Sequence, residues 1–150
     1  MFLGALALHV LEEAPRFTAW ARRQASKRYT QLDFVRNNAL GLAITGAATY
    51  VLARSSRRRV FCVYYSTILT QQARFNTVFH VGTAVAWREY SPGLITSLTL
   101  FLPLWWRLTR LALDDGLITR GGAVLASAVG GTIHAGAVAQ QVFFIGVPEA

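Results

Sequence analysis

MFLGALALHVLEE, residues 1 to 13, is an apolar run that ends in one histidine and two glutamates. On a helix, residues three and four apart lie on one face, so Glu12 and Glu13 both fall beside His9. A nearly uncharged segment has little reason to carry this cluster unless something polar, a metal or a reacting group, is held there. A helix over 1 to 13 rises only about 20 Å against a hydrocarbon core of roughly 30 Å, so alone it spans a bilayer poorly. No positive residue precedes the run and no small-residue cleavage site follows it, and we expect the segment to remain in the mature protein.

The remaining sequence sets the class. Hydrophobic residues make up 53% of the chain and charged ones 15%, against about 25% charged in ordinary soluble domains. Acidic and basic residues gather between long apolar runs, and 150 residues make one domain. The expected fold is all-α, an integral membrane helical bundle over 1–150, with a buried soluble bundle as the alternative. Four full crossings are expected at about 34 to 53, 60 to 87, 94 to 113 and 120 to 142, together with the short N-terminal helix. The basic, aromatic stretch 15 to 32 suits a helix lying on the membrane surface. SPG at 91 to 93 breaks the chain, and Gly122, Ala126, Gly130 and His134 form a small-residue face four apart.

A net charge of +8 comes without zinc-finger spacing or an RNA-binding signature, so no nucleic-acid partner is expected; basic loops beside anionic lipid head groups account for it. The single Cys62 is silent on redox compartment. The expected location is a bacterial-type cytoplasmic membrane. Basic residues fall evenly on its two sides, which leaves orientation open, and the oligomeric state is open too.

Alternating helix directions provide a test that residue type alone cannot. The end of the first helix brings His9, Glu12 and Glu13 to one side, and Asn37 and Asn38 start the next helix there. Asn76 and His80 lie on one face in the later half of 60 to 87. Tyr90, Pro92, Gly93 and Thr96 sit at the following turn, and His134 returns to the same level. Two adjacent glutamates near a membrane end need compensation, since an acidic residue in mid-bilayer costs on the order of 2.5 to 3.5 kcal/mol. A divalent metal, zinc or iron, held by His9, Glu12, Glu13, His80 and His134 would supply it. Asn38, Asn76, Tyr90 and Thr96 would then bind substrate or orient ligands. Without metal, a buried glutamate and a histidine poised near neutrality could shuttle protons.

HVLEE at 9 to 13, NTVFH at 76 to 80 and YSPGLIT at 90 to 96 match HxxEE, NxxxH and YxPGxxT in that order. On these motifs the chain resembles the HXXEE-domain family of small membrane proteins, whose biochemical role is unassigned. The resemblance implies that His9, Glu12, Glu13, Asn76, His80, Tyr90, Pro92, Gly93 and Thr96 are motif positions; it brings no reaction with it.

The leading expectation is therefore a membrane-embedded, metal-dependent enzyme, hydrolytic or oxidative, acting on a lipid or other apolar small molecule, with Glu12 or Glu13 as general base. One alternative is a metal-free isomerase or cyclase of an isoprenoid or sterol. The other is a non-catalytic lipid-binding or transport subunit.

Overall fold

A computed structural model describes residues 1–140, and among them every regular element is helical. Helix α1 (Phe2–Glu13) buries Phe2, Ala5, Leu6, His9 and Glu13, one stripe at helical spacing. The same stripe that anchors the helix thus carries two of its polar groups inward. Pro15, which has no N–H to continue the ladder, follows α1, and the Arg16 N–H turns back onto the Glu13 carbonyl.

Helix α2 (Phe17–Gln24) is shorter than the sequence leads one to expect, and it faces the other way. Its Phe17 and Trp20, with Tyr29 from the turn beyond, are buried in a small aromatic core completed by Ala21 and Phe34. Arg22 Nε donates to the Tyr29 carbonyl at 2.7 Å, folding the turn onto the helix. The aromatic residues are therefore packing groups of the bundle and not outward anchors.

Helix α3 (Gln31–Ala53) starts three residues earlier than the apolar run, because Thr30 and Asp33 form a reciprocal capping box. The longest helical run begins with α4 (Arg58–Tyr64), passes through a π-helical stretch (Tyr65–Phe75) and continues as α5 (Asn76–Trp87). Arg88, in the left-handed conformation, ends it. After the Ser91–Gly93 turn, α6 (Leu94–Thr96) leads through a second π-helical stretch (Ser97–Phe101) into α7 (Leu102–Asp114). Helix α8 (Arg120–Ala139) is capped by Thr119, and the last two residues of the expected crossing, 141 and 142, lie outside the described residues.

Helix α8 packs along the first π stretch. A Cβ on Gly130 would stand 2.8 Å from the Ser66 carbonyl oxygen, and one on Gly131 would meet the Phe75 ring at 2.8 Å. The small-residue face thus sets how closely α8 approaches. The main core gathers Phe2, Leu6, Tyr65, Leu69 and Phe101 where α1, the two π stretches and α8 meet.

Among the described helices, one, α8, is long and apolar enough to cross a membrane. Four crossings do not emerge by that measure, for reasons visible in the chain. Helix α3 carries Arg36, Asn37 and Asn38 near its start, the run through α4 and α5 is divided by a π stretch holding Gln71, Gln72 and Arg74, and the expected crossing at 94 to 113 is split into α6, a second π stretch and a 13-residue α7.

Candidate metal centre

Three side chains from two helices converge in the interior: His9 and Glu13 of α1 and His80 of α5, all buried. Glu13 Oε1 stands 3.4 Å from His9 Nε2 and 3.4 Å from His80 Nε2, and one donor atom from each residue falls within 4.8 Å of the others. Zinc bound tetrahedrally at 2.0 to 2.1 Å separates its ligand atoms by about 3.4 Å. Two of the three spacings already have that value. His80 Nε2 is buried with no hydrogen-bond partner among the described residues, an arrangement that costs free energy unless a partner is supplied. This buried cluster can hold a metal ion.

The outer nitrogens of both imidazoles are held. Glu12 sits one residue round the helix from Glu13 and points away from the cluster. Its carboxylate accepts hydrogen bonds from the Thr96 hydroxyl at 2.5 Å, the backbone N–H groups of Ile95 and Thr96 at 3.0 and 2.8 Å, and the Tyr90 hydroxyl. Burial alone raises the Glu12 carboxyl; these donors outweigh it and bring it down to about 2. Burial, followed by the hydrogen bond to Glu12, pushes the Tyr90 phenol up to about 12. With its one proton given to Glu12, the Thr96 hydroxyl can only accept from His9 Nδ1, 2.8 Å away. The proton of His9 is thereby fixed on Nδ1, and its bare Nε2 faces Glu13 and His80. A carboxylate acting on a histidine's far nitrogen is how metal-binding imidazoles are oriented. Here a threonine hydroxyl stands between the two.

Asn76 Nδ2 lies 2.8 Å from His9 Nε2 and donates to it. A cation at the centre would displace that N–H, and the amide turned over would offer its oxygen instead. On the other imidazole, His80 Nδ1 lies 2.9 Å from the Ser91 hydroxyl. Burial raises the Glu13 carboxyl above its ordinary range. A metal would keep that carboxylate ionised.

Gly93 closes the cluster from outside. Its φ is +98°, and a Cβ there would lie 2.6 Å from His9 Cε1 and 2.8 Å from His80 Cε1. Glycine is required twice at this position, for the left-handed turn and for room to seat two rings.

The structure therefore brings together His9, Glu13, His80, Asn76 and Thr96, with Tyr90 reaching Glu12 from the surface. His134 does not join them: its Nδ1 meets Gln71 Nε2 at 3.3 Å, and its ring packs against Phe79. Asn38 donates to the Phe34 carbonyl at 3.0 Å and, with His134, lines a cleft of about 300 Å³ that also reaches His9, Glu13 and Asn76. Sequence reading missed Ser91 as the partner of His80, and Gly93 as more than a turn residue. The signal for both was the SPG turn, with Ser91 eleven positions after His80.

Fold and site define a small all-helical protein with a buried cluster of two histidines and one glutamate, framed by the residues of its three motifs. It belongs to the family described as proteins of unknown function with an HXXEE motif, whose model matches residues 1–106. No curated protein and no solved structure matches the chain.

Proposed function

We propose that the protein is a membrane-embedded enzyme in which His9, Glu13 and His80 hold a zinc or iron ion, and that it acts on a lipid or other apolar substrate. The observation that carries the reading is the orphaned, buried Nε2 of His80 aimed with His9 Nε2 at one carboxylate oxygen. Two imidazoles and one carboxylate are a donor set of catalytic zinc sites, which leave a position open for water.

Hydrolysis is the preferred reaction because it needs only water. The metal, when bound, makes water a hydroxide donor near neutral pH. With the ion bound, the water oxygen would join the acyl carbon as the bond to the leaving oxygen or nitrogen breaks, one water proton going to that leaving atom and the other remaining with the product acid. Asn76 is placed to hold the substrate or the attacking water beside His9. Glu12 keeps His9 oriented through Thr96. The same donor set is also that of non-haem iron oxygenases, and oxidation, consuming dioxygen and a two-electron donor, is the second reading.

Membrane embedding is supported by what the bundle leaves outside. Leu40, Ile44 and Val51 on α3, Val85 on α5, Leu98 and Trp106 on the run through α7, and Val124 and Leu125 on α8 are all exposed. Exposed apolar side chains on every long helix are the inverse of a soluble surface. The helical run from Arg58 to Trp87, though its middle is π-helical, has more residues than the about 20 a crossing needs.

Metal analysis of protein purified in detergent tests the proposal. We expect one zinc or iron ion per chain in the wild type and none in His80→Ala, with helix content retained in both. Wild-type protein that neither carries nor takes up either metal would remove the basis of the reading. Zinc would select hydrolysis and iron oxidation.

A further inference from the structure

The cleft beside the cluster has an inner wall and an outer rim of different chemistry. It lies between α3 and α8, which pack on other elements of the bundle. At its inner end stand Asn38, Gln71, Gln72 and His134; Leu40 and Ile44 of α3 and Val138 of α8 form the apolar side. Leu40 and Ile44 are more than half exposed, so in a bilayer this rim would meet the acyl chains.

The inner end holds an unused donor. Gln71 Nε2 donates to His134 Nδ1, so the proton of His134 is on Nε2, which is buried and has no partner among the described residues. A buried N–H without an acceptor costs about 1 to 3 kcal/mol, and a ligand oxygen would remove that cost. The charge of the ligand follows from the lining. Among the described residues lining the cleft Arg36 is the one cation, and it sits mostly in solvent beside Asp33, 3.7 Å away, so these residues place no free positive group at the inner end for a carboxylate or phosphate. At about 300 Å³, the cleft is at the small end of ligand sites and takes one chain, not two.

We infer that the cleft between α3 and α8 is a lateral entry and binding site for a single-chain amphiphile with an uncharged, oxygen-bearing head, which His134 and the Gln71 amide receive next to the His9, Glu13 and His80 cluster. This deepens the proposed function and rests on its membrane reading, but it does not require the metal. His134 becomes a binding residue for the head group.

The test is photolabelling of the full-length protein in phosphatidylcholine nanodiscs with a diazirine-bearing long-chain alcohol, followed by peptide mapping and metal analysis of the same samples. Label is expected on α3 and α8 peptides at the cleft, competed by dodecanol and at least about tenfold less well by dodecane or dodecanoate, the loss equivalent to one buried hydrogen bond. Gly41→Phe fills the cleft from α3, where the backbone leaves room and only Gln72 Nε2 comes within 4 Å, at 3.9 Å. It should abolish the labelling while metal content stays at the wild-type level. His134→Phe should weaken competition by dodecanol about tenfold and serves as the deciding variant if Gly41→Phe loses helix content. Label spread over all exposed helices, equal competition by dodecane, competition by dodecanoate as good as by dodecanol, or labelling that survives both substitutions would overturn the inference. Site-specific labelling of a chain without metal would uphold it and reject the metal reading alone.

Discussion

Replacing Gly93 with alanine adds one methyl group at the place where the turn and the two imidazoles meet. Two costs follow from the geometry. The first is backbone: at φ +98° an alanine is held in a region L-residues avoid, at about 1 to 2 kcal/mol. The second is contact: with carbons 2.6 and 2.8 Å from the new Cβ, both rings must shift, and overpacking of this kind costs about 1 to 3 kcal/mol. Together the loss is about 2 to 5 kcal/mol. Any part of it released by moving His9 and His80 apart is charged to metal affinity, at tenfold per 1.4 kcal/mol. Reversible unfolding in mixed micelles gives the stability, and competition against a chromogenic chelator gives the affinity. Gly82→Ala, in α5 two residues after His80 and with nothing within 4 Å of its added Cβ, is the control, expected to be neutral or to stabilise by up to about 1 kcal/mol. If Gly93→Ala unfolds like the wild type and binds metal equally well, the idea that this glycine seats both rings is wrong.

Other outcomes follow from the same contacts. Thr96→Val should lower metal affinity about 10- to 100-fold with the fold kept, and Thr96→Ser should restore most of it, as measured by the same chelator competition. Because the Tyr90 phenol is raised from 10 to about 12, the folded chain holds that proton where the unfolded chain loses it. Its contribution to stability is complete below pH 10 and is lost as pH rises through about 12; unfolding curves of wild type and Tyr90→Phe should converge across that interval. Thr30→Ala breaks the capping box of α3 and should cost about 1 kcal/mol in the same unfolding assay. Gly130→Leu should destabilise strongly, since even a methyl group there meets the Ser66 carbonyl at 2.8 Å, while Gly136→Leu should not.

The level of the site was legible in the sequence because helix direction and loop position fix depth. His9, Asn76, His80 and Thr96 come together from far-apart segments, as alternating helix directions lead one to expect. Rotation about each helix axis was not legible. Glu12 and Glu13 stand about 60° to one side and 40° to the other of His9, so one carboxylate turns to Thr96 and the other to His80. His134 reaches the right depth yet faces Gln71, since α8 is set by the contacts of Gly130 and Gly131 and the first π stretch shifts the register of the helix it packs on. Periodicity of 3.6 cannot foresee eleven π-helical residues. The inward turn of Phe17, Trp20 and Tyr29 was hidden for another reason: aromatic residues among arginines read alike whether they meet lipid or a neighbouring helix, and only the fold of 25 to 30 decides.

The bond between Thr96 and Glu12 joins residues 84 apart, and it gives the chain a clock. The acidic end of α1 leaves the ribosome before its partners Tyr90, Ile95 and Thr96. At about 5 to 20 residues per second, Glu12 waits roughly 4 to 17 seconds before Thr96 has been made. During that interval the Glu12 carboxylate lacks the Thr96 and Ile95 donors that hold it in the fold. The docking of α1 on the turn that opens α6 is therefore a late event of folding, and a chain halted before residue 96 should leave His9 without its Thr96 partner.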